Sequence, residues 1–156
     1  MNLNRIECRR QPHCGFTLIQ VIVALAVIAI LAGIAFPSYR EVIRKGKRAE
    51  GRAALYQIIL QEERFYSQRN SYIAFSSAST GADEKQFKWF SGNAPSTSAY
   101  EISAEACEND TIQNCVHVVA KPGTAKVDSN FDDPDCGELS ITSAGEKKAN
   151  REECWR

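Results

Sequence analysis

The sequence predicts an α+β chain in which one long N-terminal helix, apolar in its first half and amphipathic in its second, packs on a small antiparallel β-sheet. Three observations carry this reading. Phe16 to Phe36 holds no charge over 21 residues. Apolar side chains then recur three or four positions apart from Ser38 to about Arg69. Three short segments of alternating apolar and polar residues follow, separated by turn-forming residues.

The first half of the helix reads as a membrane span. At about 1.5 Å per residue its length reaches roughly 31 Å, close to a hydrocarbon core of about 30 Å. A helix buried in a protein core keeps a polar stripe, and here only Thr17 and Gln20 are clearly polar. A secretory signal would have a shorter apolar region followed by an Ala-x-Ala cleavage site; instead Pro37, Ser38 and Tyr39 follow. Ahead of the span, Arg5, Arg9 and Arg10 stand against Glu7, which favours a cytoplasmic N-terminus. Arg40, Arg44, Lys45, Lys47, Arg48 and Arg52 follow it and, by charge counting alone, point the other way. The cysteines decide for an exported C-terminal part, because disulfides persist in oxidising compartments.

The second half places Val42, Ala49, Ala53, Tyr56 and Ile59/Leu60 on one stripe, broadened by Leu55, Ile58, Phe65 and Tyr66. Pro37 can kink the helix without ending it, and Gly46 and Gly51 weaken it locally. The basic run Arg40 to Arg52 has three readings: contact with lipid headgroups and neighbouring subunits, pairing with Glu41 and Glu50 on the same helix, and nucleic-acid binding.

Ser76 to Gly81 reads as a loop, and Phe87, Trp89 and Phe90 as aromatic packing between helix and sheet. The strand candidates are Tyr100, Ile102 and Ala104; Val116, Val118 and Ala120; and Leu139 and Ile141. Pro122-Gly123 and Asp132-Asp133-Pro134-Asp135 mark turns between them. Short strands joined by turns suggest an antiparallel sheet.

The junction Gly15-Phe16-Thr17-Leu18-Ile19-Gln20 resembles the prepilin cleavage motif of type IV pilins and pseudopilins, and Pro37 with Tyr39 matches that family's Pro-Ser-Tyr pattern. The stretch from Cys136-Gly137-Glu138-Leu139-Ser140 to Cys154-Trp155 looks like the tail of small PilE-type minor pilins. The resemblance implies the type IV pilin fold, cleavage between Gly15 and Phe16, and N-methylation of Phe16. Removing 15 residues from 156 leaves 141. It implies assembly through Phe16, residue 20 and Pro37, with four parts: a leader at 1–15, a membrane and assembly helix at 16–37, the amphipathic half at 38–72 and a globular head at 73–156. One position departs from the family. Gln20 stands where a Glu is usual, a Glu thought to pair with the N-terminal amine of a neighbouring subunit. Gln offers that cation an acceptor but no compensating charge.

Cys8 and Cys14 fall in the leader. Cys107, Cys115, Cys136 and Cys154 remain and allow three pairings. Proximity favours Cys107–Cys115 and Cys136–Cys154, and the family often closes a C-terminal loop with a disulfide, a role Cys136–Cys154 fits. A metal site on these cysteines and His117 lacks a Cys-x-x-Cys pair; His117 alone reads as a strand-face histidine. Asp128, Asn130 and Asp132 start like a calcium loop, but Asp133 and Leu139 stand where Gly and the bidentate Glu belong. No cofactor is expected. With two histidines, one of them in the leader, and no Gly-rich phosphate loop or nucleophile elbow, no enzyme is expected either.

Lys plus Arg equals Asp plus Glu at 19, so net charge excludes a polyanion-coating protein but leaves a local basic patch open. The function the resemblance implies is that of a minor pilin. It would be processed by prepilin peptidase, held by membrane lipid, then assembled with other pilin subunits through an inner-membrane assembly platform. Its head would face the periplasm and then the extracellular pilus, in support of pilus biogenesis, adhesion, twitching motility or DNA uptake. One alternative is a DNA-receptor pilin using Lys147, Lys148, Arg151, Trp155 and Arg156. Phosphate contacts would make such binding salt-dependent, with Trp155 free to stack, whereas Glu146, Glu152 and Glu153 offset that charge. The other alternative is a type II secretion pseudopilin, against which the C-terminal cysteine pair and the failed calcium loop weigh.

Overall fold

The computed structural model describes residues 17–156, the side chains of residues 34–38 excepted. The leader, with Gly15 and Phe16, and the side chain of Pro37 lie outside the described residues. The chain divides into two compact units, one ending at Arg40 and the other running from Glu41 to Arg156.

A single helix, α1 (Leu18–Arg69), runs without a break past Pro37. Thr17 precedes it, and the Gln20 side chain accepts a hydrogen bond from the Thr17 backbone N–H at 3.0 Å. This is one of the two bonds of a capping box, formed because Thr-x-x-Gln places an amide oxygen one turn inside the helix. From Thr17 to Gly33 every side chain is exposed, including Leu18, Ile22, Leu25 and Leu31. Among the described residues no helix is long and apolar enough to cross a membrane; the apolar run from Phe16 to Phe36 begins and ends on side chains outside that set.

In the second unit, four antiparallel strands follow one another in the order β1 (Tyr100–Ala106), β2 (Val116–Pro122), β3 (Leu139–Thr142) and β4 (Lys147–Lys148). The alternation read from the sequence sets the register. Ile102 faces Ala120, which faces Leu139, and Ala104 faces Val118, which faces Ile141. These residues form the inner surface of the sheet and pack with Ala54, Leu55 and Ile58 of α1. Glu101, Glu105, His117 and Lys121 stand on the other surface. His117 lies opposite Glu105 there, with Nδ1 3.6 Å from the carboxylate. Phe87 is buried, and the chain before β1 bridges to its edge at Phe75–Ala104 and Phe90–Glu101.

One expectation needs correction in part. The stripe of α1 that meets the sheet is Gly51, Ala54, Leu55, Ile58 and Glu62, with Ile59 and Phe65 packed partly against it, so Leu55, Ile58, Ile59 and Phe65 of the expected stripe lie there while Val42, Ala49, Ala53, Tyr56 and Leu60 do not. Val42, Tyr56 and Leu60 remain 64%, 41% and 59% exposed. The region carries two apolar stripes, and sequence spacing alone does not say which one the sheet takes. Gly51 also has a packing reason. A Cβ there would come within 2.8 Å of the Tyr100 ring, so glycine lets the buried tyrosine lie against the helix.

Disulfides join Cys107 to Cys115 across the β1–β2 connection, and Cys136 to Cys154 across the C-terminal loop. The basic run of α1 docks largely on the head itself. Arg44 pairs with Glu41 and donates to the Asp132 carbonyl; Lys47 pairs with Glu50 and donates to the Thr97 carbonyl. Arg48 forms a bidentate pair with buried Asp133, through Nη2 at 2.6 Å and Nε at 2.9 Å. Asp133, the misplaced position of the calcium pattern, is thus the anchor that holds the Asp132–Cys136 turn to the helix. Asp128 caps its own turn, its carboxylate accepting the Asn130 N–H.

Candidate nucleic-acid interface

The four-residue 3₁₀ turn Glu152–Trp155 closes the chain next to α1. Cys154 is buried in its disulfide, which fixes the turn, and Trp155 projects beside it. The Trp155 indole N–H donates to the Lys148 carbonyl at 3.0 Å, setting the ring's orientation. Tyr56 of α1 meets this ring edge-on, with centroids 5.9 Å apart. Lys147 pairs with Ile141 in the strand register, so its side chain leaves β4 on the helix side of the sheet. Its ammonium sits 5.3 Å from the Tyr56 ring centre and 5.7 Å from that of Trp155, within range of cation–π attraction.

One turn before Tyr56, Arg52 donates to the carbonyls of Cys154 and Arg156. Lys45, Arg48, Arg52, Glu153 and Arg156 line an adjacent cleft of about 230 Å³. In that cleft Arg48 is spent on Asp133, which holds its guanidinium more firmly protonated than usual. Burial alone would push the Asp133 carboxyl up; the Arg48 and Tyr100 hydrogen bonds outweigh it and hold the carboxyl below the usual range. Burial and the Asp133 hydrogen bond push the Tyr100 phenol up, so it stays a donor, at 2.7 Å.

The structure therefore divides the five residues singled out from the sequence. Lys147, Trp155 and Arg156 gather into one patch with Arg52 and Tyr56. Lys148, on the opposite surface of β4, is paired with Glu146 at 3.2 Å, and Arg151 with Asp135 at 3.6 Å and Glu153 at 3.5 Å. Lys147 makes no ion pair among the described residues. Sequence reading placed Arg52 in the basic run and Tyr56 on an inward stripe. Nothing local links them to residues a hundred positions downstream; the Arg52 bond to the Cys154 carbonyl and the Tyr56–Trp155 contact join them, on a turn that the Cys136–Cys154 disulfide fixes.

A family model described as type IV minor pilin ComP, DNA uptake sequence receptor, matches residues 37–140. A second, the prokaryotic N-terminal methylation motif, matches residues 10–36. The chain belongs to the type IV minor pilins. These are structural subunits, not enzymes. The minor-pilin match includes Arg52 and Tyr56 and stops before Lys147. The chain is 28% identical over 110 residues to the type IV major pilin protein PilA of Myxococcus xanthus (strain DK1622), covering 69% of this chain and 44% of that one. It is 38% identical over 80 residues to the type IV major alpha-pilin of Moraxella bovis, covering 42% and 50%. The chain spans about half the length of these relatives. Among solved structures, a type IV pilin from Shewanella oneidensis aligns with TM-score 0.47 at 23% identity, over 72% of this chain and 98% of that one. The non-core minor pilin PilV of Neisseria meningitidis aligns with TM-score 0.46 at 16% identity, over 69% and 86%.

Proposed function

We propose that the chain is a minor subunit of a type IV pilus that receives DNA on the patch formed by Arg52, Tyr56, Lys147, Trp155 and Arg156. The observation that carries this reading is the convergence of Lys147, which makes no ion pair among the described residues, and Arg52 beside the exposed Tyr56 ring and the half-buried Trp155 ring, in a chain whose family description names a DNA uptake sequence receptor. Phosphates would meet Arg52, Arg156 and Lys147, while Tyr56 and Trp155 supply faces for sugar or base contact.

The route to the filament follows from the N-terminal half. Prepilin peptidase would cut between Gly15 and Phe16 and methylate Phe16, with the leader in the cytoplasm and the head in the periplasm. The apolar helix would hold the subunit in the inner membrane until the assembly platform moves it among other pilin helices, keeping apolar surface out of water throughout. Ala24, Ala26, Ala29, Ala32 and Gly33 give small surfaces for close helix approach. The parts at 16–37, 38–72 and 73–156 would serve as anchor, connector and exposed head.

The test is fluorescence polarisation of labelled duplex DNA with the full-length protein in detergent, across a salt series. Arg52→Ala and Lys147→Ala should each weaken binding and lower the slope of log affinity against log salt by about one. Lys148→Ala and Arg151→Ala should change it little. Equal effects from all four would mean diffuse charge and defeat the patch; no binding at low salt would defeat the DNA reading.

A further inference from the structure

Glu62 is the buried polar group of α1 that nothing above explains. It is fully buried on the helix face that meets the sheet. One carboxylate oxygen, Oε2, accepts the backbone N–H of Ile73 at 3.1 Å. The other, Oε1, is buried with no hydrogen-bond partner. Its neighbours on the same helix face, Ile58 and Phe65, are apolar.

The surroundings hold no compensating charge. On α1 the adjacent titratable group is Glu63, a like charge. In the segment after the helix it is the Tyr72 hydroxyl, which donates to Glu63 at 2.8 Å. β1 and β2 turn Ile102, Ala104, Val116 and Val118 toward the helix and carry Glu101, Glu105, His117 and Lys121 on the opposite surface. No Lys, Arg or His forms an ion pair with Glu62 among the described residues. A buried carboxylate with one donor and no cation is strongly disfavoured in its charged form. Burial, and secondarily the charge of Glu63, push the group up to about 7, although the Ile73 N–H pulls the other way.

The place of this group in the fold gives it leverage. The segment that Glu62 holds leaves α1 at Asn70, a non-glycine residue with φ of 57°. It then makes three attachments in four residues: the Tyr72 N–H to the Ile112 carbonyl, the Ile73 N–H to Glu62, and Phe75 to Ala104 of β1 in both directions. Ile112 lies within the loop closed by Cys107–Cys115. The Glu62 contact therefore stands between the end of the helix and that exposed loop.

We propose that Glu62 is a pH-sensitive clamp: neutral, it fastens the Tyr72–Phe75 segment to α1, and ionised, it loosens that segment and the Cys107–Cys115 loop bonded to it. The proton balance is simple, since loosening releases one proton from the Glu62 carboxyl to solvent. The direction follows from linkage. A carboxyl raised by folding adds stability that is complete below its unfolded value and is lost as pH rises through the folded one. The clamp is thus tight in mild acid and slack above neutrality.

The test uses the full chain in detergent micelles and needs no ligand, so it stands or falls apart from DNA binding. Carbon-13 NMR of the glutamate carboxyls should show Glu62 titrating near pH 7. Amide exchange at Tyr72 and Ile73, corrected for intrinsic base catalysis, should lose protection by about a hundredfold from pH 5 to pH 8. Glu62→Gln, neutral at every pH, should keep that protection flat. A Glu62 carbon titrating in the ordinary carboxylate range overturns the proposal, as does equal pH dependence in the parent and Glu62→Gln. If Glu62→Gln does not fold, the carbon titration of the parent decides.

Discussion

A carboxylate removed from water must recover its lost hydration from neighbours. Asp133 does so with four donors: Arg48 Nη2 and the Cys136 N–H on one oxygen, Arg48 Nε and the Tyr100 hydroxyl on the other. Glu62 has one donor, and the two groups shift in opposite directions. For Asp133 the folded state holds the proton more weakly than the unfolded chain. Its stabilising effect is therefore present above the ordinary carboxylate range and fades as pH falls through the folded value. Removing the cation reverses this. Arg48→Ala leaves a buried carboxylate without a counter-charge, a loss worth about 3–5 kcal/mol. The remaining Tyr100 and Cys136 bonds do not replace the charge, so the carboxyl should rise. Urea unfolding should show Arg48→Ala losing further stability between pH 5 and pH 8, where the parent loses none through Asp133. A variant as stable as the parent at pH 8 would show that this ion pair is not what holds the turn.

The C-terminal loop joins these residue-level contacts to the patch. Asp133 fixes the start of the loop, Cys136–Cys154 closes it over a sequence separation of 18, and the turn carrying Trp155 follows from the closure. Constraining a loop of that length is worth about 3 kcal/mol in the chain-entropy account. Cys154→Ser should lower stability by about that amount in denaturant unfolding and release Trp155 from Tyr56 and Lys147, so DNA affinity should fall with it. Opening Cys107–Cys115 by Cys115→Ser should leave DNA affinity near the parent value; a matching loss would show that general destabilisation, not the position of Trp155, is being measured. The strands around this loop were legible because a half-buried strand writes a period of two into the sequence, as Tyr100, Ile102 and Ala104 do. β4 was not, since two lysines carry no alternation. The inward stripe of α1 is legible only in part, in Leu55, Ile58 and Phe65, because alanines, Tyr56 and Leu60 offer a second stripe of similar spacing. Arg48–Asp133, 85 positions apart, has no local signature at all, and neither does the meeting of Arg52 with Cys154.

At the scale of the molecule, the two units differ in how far they bury their own apolar side chains. The head from Glu41 to Arg156 closes its own core with two disulfides and a continuous sheet. The described residues from Thr17 to Gly33 expose every side chain, and in the proposed route only lipid or sister helices cover them. Gln20 lies at the head of that segment. Its side-chain oxygen accepts the Thr17 N–H and so helps start the helix, a task a glutamate performs equally well in a capping box. What the amide does not supply is negative charge. If cleavage leaves a cationic amine at Phe16 and assembly buries it among apolar helices, that cation needs an anion more than it needs an acceptor. Gln20→Glu should therefore raise the share of this subunit in sheared filaments, counted by mass spectrometry against the other pilins through its N-methylated Phe16 peptide. Helix initiation is the same in both forms, so a rise would isolate the charge. An unchanged share would mean that residue 20 acts only as a cap, and that the rarity expected of a minor subunit is set elsewhere in the chain.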